Sequence, residues 1–186
     1  MRSTAPGSST NALRRWITRC VLPVLSATGA LGFGLSWMTH MHHLGLRYID
    51  QAQMTRYDAP YEQLSDALVI PTGVLGVVCS VALLALRPRG LPLWLIGCTL
   101  VLQLAVFATR VGTWGTWAEE VREAGSVFLA DGSLHPSYLL YVDTNWVRIA
   151  MIGGYALLSL VLVTMAVSRD DGPGCGPRAS RAAVSS

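Results

Sequence analysis

Four runs of twenty residues, 20–39, 67–86, 90–109 and 149–168, contain no Asp, Glu, Lys, Arg or His. Each is built mostly from Leu, Val, Ile, Ala and Gly. A helix rises about 1.5 Å per residue, so twenty residues reach across the roughly 30 Å hydrocarbon core of a bilayer. In lipid the backbone must satisfy its own polar groups, which makes a helix the natural form of each run. Four such runs in 186 residues leave room for one membrane domain, residues 16–168, and no separate soluble one. The expected fold is all-α, a membrane four-helix bundle with spans near 17–39, 67–86, 90–109 and 148–168. A small outer cap, made of a short helix and a β-hairpin, is expected over one end. Residues 1–15 and 169–186 read as disordered tails, the second rich in Gly, Pro, Ser and Ala.

Arginine orients the bundle. All fourteen basic residues are Arg. With a cytoplasmic N-terminus, Arg2, Arg14, Arg15, Arg19, Arg87, Arg89, Arg169, Arg178 and Arg181 lie inside. Arg47, Arg56, Arg110, Arg122 and Arg148 then lie outside, a bias that obeys the positive-inside rule. The expectation is a multi-pass protein of the plasma membrane with both termini cytoplasmic. Nine of the eleven acids and all four histidines fall on the outer side, where nine acids against five arginines give a net of −4. The inner side carries nine arginines and two acids, a surplus that suits anionic lipid headgroups. The first basic-then-apolar segment also fits a secretory signal peptide. Its apolar run continues to Met38, past the roughly 7–15 residues of such a core, so an uncleaved helix is expected. Cys20, Cys79, Cys98 and Cys175 have no metal or redox spacing and read as free thiols.

Between the spans, Arg87–Gly90 is short enough to make the second and third helices antiparallel neighbours. Leu44, Tyr48 and Ala52 recur at helical spacing, which would carry the first helix on along the interface. Asp58 followed by Pro60 reads as a new helix start, and Pro71 as a bend. Thr116 and Glu119 match a capping box, with Gly125 placed to end that helix. Segments 127–130 and 134–141 flank Asp131-Gly132 as a hairpin would, and Asp143 or Thr144 would cap the last span. Trp37, Trp114, Trp117 and Trp146 sit where an outer aromatic belt is expected, Trp16 and Trp94 at the inner one. Gly29, Gly32, Gly73, Gly76, Gly153 and Gly154 let helices approach closely, and Gln103 should bond to a neighbouring helix. No charge lies inside a span, which argues against a proton relay or an ion-coupled pump.

Two constellations carry chemistry. His40, His42 and His43 end the first span, with His40 and His43 on one helical face. Imidazoles at that spacing, joined by His135 or a carboxylate, can ligate a metal; solvated interfacial histidines are the alternative. Which cofactor, if any, is used stays open. At the last span, Asn145 and Arg148 share a face, and Arg110 ends the third span at similar depth. With Asp66, Glu119 and Asp143 nearby, the two guanidiniums could form a structural network. They could equally bind a carboxylate, a phenolate or a headgroup. An arginine at a helix N-terminus opposes the macrodipole, which favours a specific partner for Arg148. The candidate catalytic set is therefore His40, His43, Arg110, Arg148 and Asn145. The candidate metal set is His40, His42, His43 and His135. Glu119 and Glu120 are explained as well by the dipole of a short helix as by acid–base work. No phosphate-cradling loop, nucleophile elbow or zinc-protease helix occurs, and basic tails without interleaved aromatics exclude nucleic acid.

The histidines at 40–43, the tyrosines at 57–61, Pro71 and the Asn-Trp-Val-Arg of 145–148 together give the chain a recognisable look from about 37 to 158. It resembles small bacterial four-span membrane proteins and is loosely similar to the anthrone-oxygenase-like family. That resemblance implies oxidation of polycyclic phenols without a bound prosthetic group, with polar groups gathered at one membrane face. Two functions are open: an oxygenase-like enzyme acting on a lipophilic small molecule from the outer leaflet, or a non-catalytic accessory protein holding a membrane-protein partner.

Overall fold

The computed structural model describes residues 7–88 and 90–170. Five α-helices dominate: α1 (Gly7–Gly45), α2 (Met54–Leu86), α3 (Leu93–Thr109), α4 (Gly115–Ala124) and α5 (Pro136–Asp170). Four stretches, Arg19–Tyr48, Gln51–Leu86, Leu93–Ala124 and Pro136–Ser168, are long and apolar enough to cross a membrane. They close into a ring in which α1 packs on α2 and α5, and α3 packs on the same two helices. The fold is thus the expected all-α four-helix bundle. Its outward faces are apolar too, with Leu31, Phe33, Val78, Val101 and Leu157 exposed. A helix apolar on all sides needs lipid on the side that protein leaves uncovered, and the chain is accordingly a multi-pass membrane protein.

Small residues and a few polar pairs hold the helices together. A Cβ added at Gly29 would lie 2.9 Å from the Cα of Ala156, so α1 and α5 touch backbone to backbone there. Lipid tails are as apolar as leucine, and such van der Waals approach is what drives helices together in a bilayer. Gln103 Nε2 donates to Ser80 Oγ at 2.9 Å, the interhelical bond its sequence position calls for. Leu22, Leu25, Leu83, Ile96 and Leu162 form the buried core at the far end from the histidines. A second cluster, Leu46, Met54, Val121, Val127 and Tyr138, gathers the α1–α2 connection, α4 and the start of α5. Gln51 ties it: Nε2 donates to the carbonyls of Leu46 and Ile49, and Oε1 accepts from the Val127 N–H. Cys20, Cys79 and Cys98 are free, and Cys175 lies outside the described residues.

Several local expectations are corrected. α1 does not run on past Gly45; a 3-10 turn at Leu46–Tyr48 and an extended Ile49 turn the chain back. α2 begins at Met54, so Asp58 is not its cap and Pro60 lies within it. Thr116 heads no capping box, because the chain never leaves helix between α3 and α4. A π turn, Arg110–Trp114, joins them, and the Gly115 N–H bonds to the Arg110 carbonyl. That wide turn brings the Arg110 oxygen within 2.3 Å of where a Gly115 Cβ would be, so glycine alone fits. Gly125, at φ 68°, does end α4. The hairpin reduces to one bridge, Phe128–Leu134, around the Asp131 turn, with no strand among the described residues. There the Ser133 hydroxyl and then its N–H donate to Asp131 and hold its carboxyl below the usual range. Pro136 opens α5, well ahead of residue 148, since a first-turn residue has no helical use for its N–H. Trp114 is buried and donates Nε1 to Thr144 Oγ1 rather than joining a belt. α1 starts at Gly7, inside the stretch expected to be disordered; residues 1–6 and 171–186 lie outside the described residues.

Candidate functional site

Helix geometry decides where the histidines go. Successive residues turn by about 100° on a helix of 3.6 residues per turn, so the three imidazoles at the end of α1 serve two different interfaces. His42 faces α2. Its Nε2 lies 2.8 Å from Asp58 Oδ1, and its ring stacks on Tyr61 at 3.6 Å and on Tyr57 at 5.2 Å. His40 and His43 face α5, as their shared face requires. Asn145 Nδ2 lies 3.0 Å from His40 Nδ1, and the Trp146 ring meets the same imidazole edge-on at 4.4 Å. The His43 ring lies against Tyr141 at 4.4 Å. Its Nδ1 is 2.8 Å from the Thr39 carbonyl. A carbonyl only accepts, so Nδ1 carries the proton and Nε2 keeps the lone pair of the neutral ring. His135 stands apart in the 125–135 loop, where its Nδ1 accepts from the Ser137 N–H. The metal set His40, His42, His43 and His135 is therefore not assembled. Among the described residues no three His, Cys, Asp or Glu side chains converge on a point that a metal could occupy.

The cations divide just as unevenly. Arg110 Nη2 donates to Asp66 at 2.6 Å. Arg122 bonds to Glu62 and Glu119 and stands 3.8 Å from Asp58. Those pairs occupy the carboxylates of the region. Arg148, only 5% exposed, has none among the described residues. Its Nη2 reaches the Tyr141 hydroxyl at a long 3.4 Å, and its guanidinium stands 5.9 and 5.8 Å from the Trp114 and Tyr141 rings. Its Nε has no partner. An ion removed from water costs several kcal/mol unless charge and hydrogen bonds repay it, and two ring faces repay about 1–2. Arg148 is thus a buried charge with no carboxylate counter-group among the described residues.

Two adjoining cavities meet this cluster. A polar vestibule of about 340 Å³ is walled by His43, Asp58, Glu62, Arg110, Arg122 and Tyr141, among others. A chamber of about 240 Å³ lies between the four long helices, with Val69, Ile70, Val106, Phe107 and Ile152 as walls. Arg148 and Arg110 border one end of it, Thr28, Gln103 and Tyr155 the other. Thr39, Ser65, Arg110 and Val111 line both cavities, so the vestibule and the chamber adjoin at Arg110. Of the catalytic candidates, His43, Arg110 and Arg148 border these spaces. His40 and Asn145 do not; they bond to each other, both fully buried, and join α1 to α5. His42 borders neither cavity and orients Asp58.

The sequence reading missed Tyr141, Glu62, Arg122 and the Thr28–Tyr155 pair as site residues, and noted Tyr61 only among the residues of the resemblance. Tyr141 lies seven residues before Arg148, on the same helical face; placing 134–141 in a strand hid that signal. Comparison of the chain with family models, with curated proteins and with solved structures finds no match.

Proposed function

We propose that this protein is a membrane enzyme that takes a lipophilic, weakly acidic molecule into the chamber and removes a proton from it. One observation carries the reading: a buried guanidinium, Arg148, without a carboxylate partner among the described residues, at the mouth of an apolar cavity between membrane helices. An apolar cavity selects a lipophilic body, and an unpaired guanidinium selects an acceptor or anionic head such as a phenol, enol or carboxylate. His43 Nε2, whose opposite nitrogen is fixed on Thr39, is the base available to the head from the vestibule. Arg148 and Arg110 would receive the oxyanion in a site of low dielectric, where such stabilisation is largest. Arg110 is already paired with Asp66, so Arg148 carries most of the differential binding. The resemblance to anthrone-oxygenase-like proteins adds the next step. The delocalised anion of an activated CH2 reacts with dioxygen, and one CH2 and one O2 give one carbonyl and one water.

The test uses the full chain in lipid nanodiscs with 1,8-dihydroxyanthrone, following anion absorbance and oxygen uptake. Wild type should form the anion and consume oxygen, and His43→Gln should bind without turnover. Equal anion formation by wild type, Arg148→Gln and empty nanodiscs would refute the reading.

A further inference from the structure

The chamber has a second polar end. Seven residues separate Arg148 from Tyr155 on α5, and seven separate Arg110 from Gln103 on the segment containing α3. Both intervals place the floor about 10 Å from the arginines. There Thr28 Oγ1 donates to the Leu25 carbonyl at 2.8 Å, so in its 2.7 Å contact with Tyr155 the tyrosine hydroxyl is the donor. Gln103 Nε2 uses one of its two hydrogens on Ser80. Its side chain is buried, and its Oε1 has no partner. A Cβ at Gly76 would stand 3.1 Å from the Tyr155 oxygen, 3.2 Å from Gln103 Oε1 and 3.3 Å from Thr28 Oγ1, so the three oxygens gather beside one open glycine.

The hydrogens of Thr28 and Tyr155 are spent, while the Tyr155 oxygen and Gln103 Oε1 can still accept. A buried acceptor left unanswered costs about as much as a lost hydrogen bond, and in lipid no bulk water answers it.

We infer that the Gln103–Tyr155 floor is a second polar subsite that accepts a hydrogen bond from a hydroxyl at the tail of the bound molecule. The ligand class is thereby narrowed to a rigid lipophilic acid with a hydroxyl on the side opposite its acidic head. This inference rests on the proposed binding of an acidic head at Arg148.

Two fluorescent probes of similar shape separate the two ideas: 2-naphthoate, which has the head alone, and 6-hydroxy-2-naphthoate, which adds the distal hydroxyl. Binding is measured by titration into full-length protein in phosphatidylcholine nanodiscs. Wild type should bind the hydroxylated probe about five- to tenfold more tightly, the worth of one buried hydrogen bond. Gln103→Met, close in volume, should bind the hydroxylated probe with a smaller preference over 2-naphthoate than wild type shows. Gly76→Ala, whose methyl enters the space between the oxygens, should lose the preference. Equal binding of the two probes by wild type overturns the floor subsite and leaves the head site standing. If neither probe binds wild type, or Arg148→Gln binds both as well as wild type does, the head site falls and the floor with it.

Discussion

Arg148→Met should make the empty protein more stable and the loaded one weaker. Methionine is apolar, flexible and close in length to the arginine stem, so it fills the space between Trp114 and Tyr141 without a cavity. It removes a charge that is 5% exposed and has only a 3.4 Å bond to Tyr141 and two ring faces in return. Replacing buried ionic groups by packed apolar ones stabilises proteins by about 1–4 kcal/mol where charge recovery is poor. Losing the ring contacts offsets about 2 kcal/mol of that, which leaves a gain of at most about 2 kcal/mol without ligand. Binding moves the other way. Removing one member of a buried, hydrogen-bonded charge pair costs roughly 2–5 kcal/mol, at least about thirtyfold in affinity for 2-naphthoate. The neutral ester methyl 2-naphthoate should lose little. The assays are an SDS unfolding titration in mixed micelles, read by tryptophan fluorescence, and probe titration in nanodiscs. An Arg148→Met protein that unfolds earlier than wild type and binds 2-naphthoate unchanged would show that the guanidinium is a structural strut, and the reasoning would fail.

Gly115→Ala should force the π turn out of shape, because its Cβ would meet the Arg110 carbonyl at 2.3 Å. The expected result is a loss of more than about 2 kcal/mol together with loss of the Arg110–Asp66 pair, seen as no further penalty when Asp66→Asn is added. Gly29→Val should separate α1 from α5, whose backbones meet at Ala156; earlier SDS unfolding checks this, and wild-type stability would contradict it. Arg122→Met should leave Glu62 and Glu119 beside the vestibule without their cation. It should destabilise the protein at neutral pH, seen as earlier SDS unfolding, and wild-type stability would contradict it. His40→Gln should lower stability without changing 2-naphthoate affinity, since His40 bonds to Asn145 and borders neither cavity.

The membrane-crossing architecture was legible because lipid imposes a single requirement, an unbroken apolar helix, and four charge-free runs meet it. Gln103 was legible for the same reason: an amide in mid-span must find a partner, and Ser80 is that partner. The polar ends were harder, because several local patterns compete there. Thr116 and Glu119 have the spacing of a capping box, yet the backbone N–H groups a cap would serve are already bonded when a helix continues through a π turn. Pro136 argues against a strand interior and for a helix start with equal force. Choosing the strand removed Tyr141 from view. The histidine cluster looked like a ligand set because sequence spacing records proximity along the chain. The turn of α1 then sent His42 to Asp58 and His43 to Tyr141. Arg148 does not stand against the dipole of the last helix as its sequence position suggested, because α5 opens at Pro136, twelve residues earlier. Its isolation became visible only once Asp66, Glu62 and Glu119 were seen paired elsewhere.

Photolabelling tests the central claim most directly. The carboxylate photoprobe 4-benzoylbenzoate, irradiated with the protein in nanodiscs and mapped by mass spectrometry, should label the chamber walls Val69, Val106, Phe107 and Ile152. Excess 6-hydroxy-2-naphthoate should block that labelling. Labelling confined to the exposed faces at Val78, Leu104 and Leu157, unchanged by the competitor, would contradict a ligand chamber at Arg148.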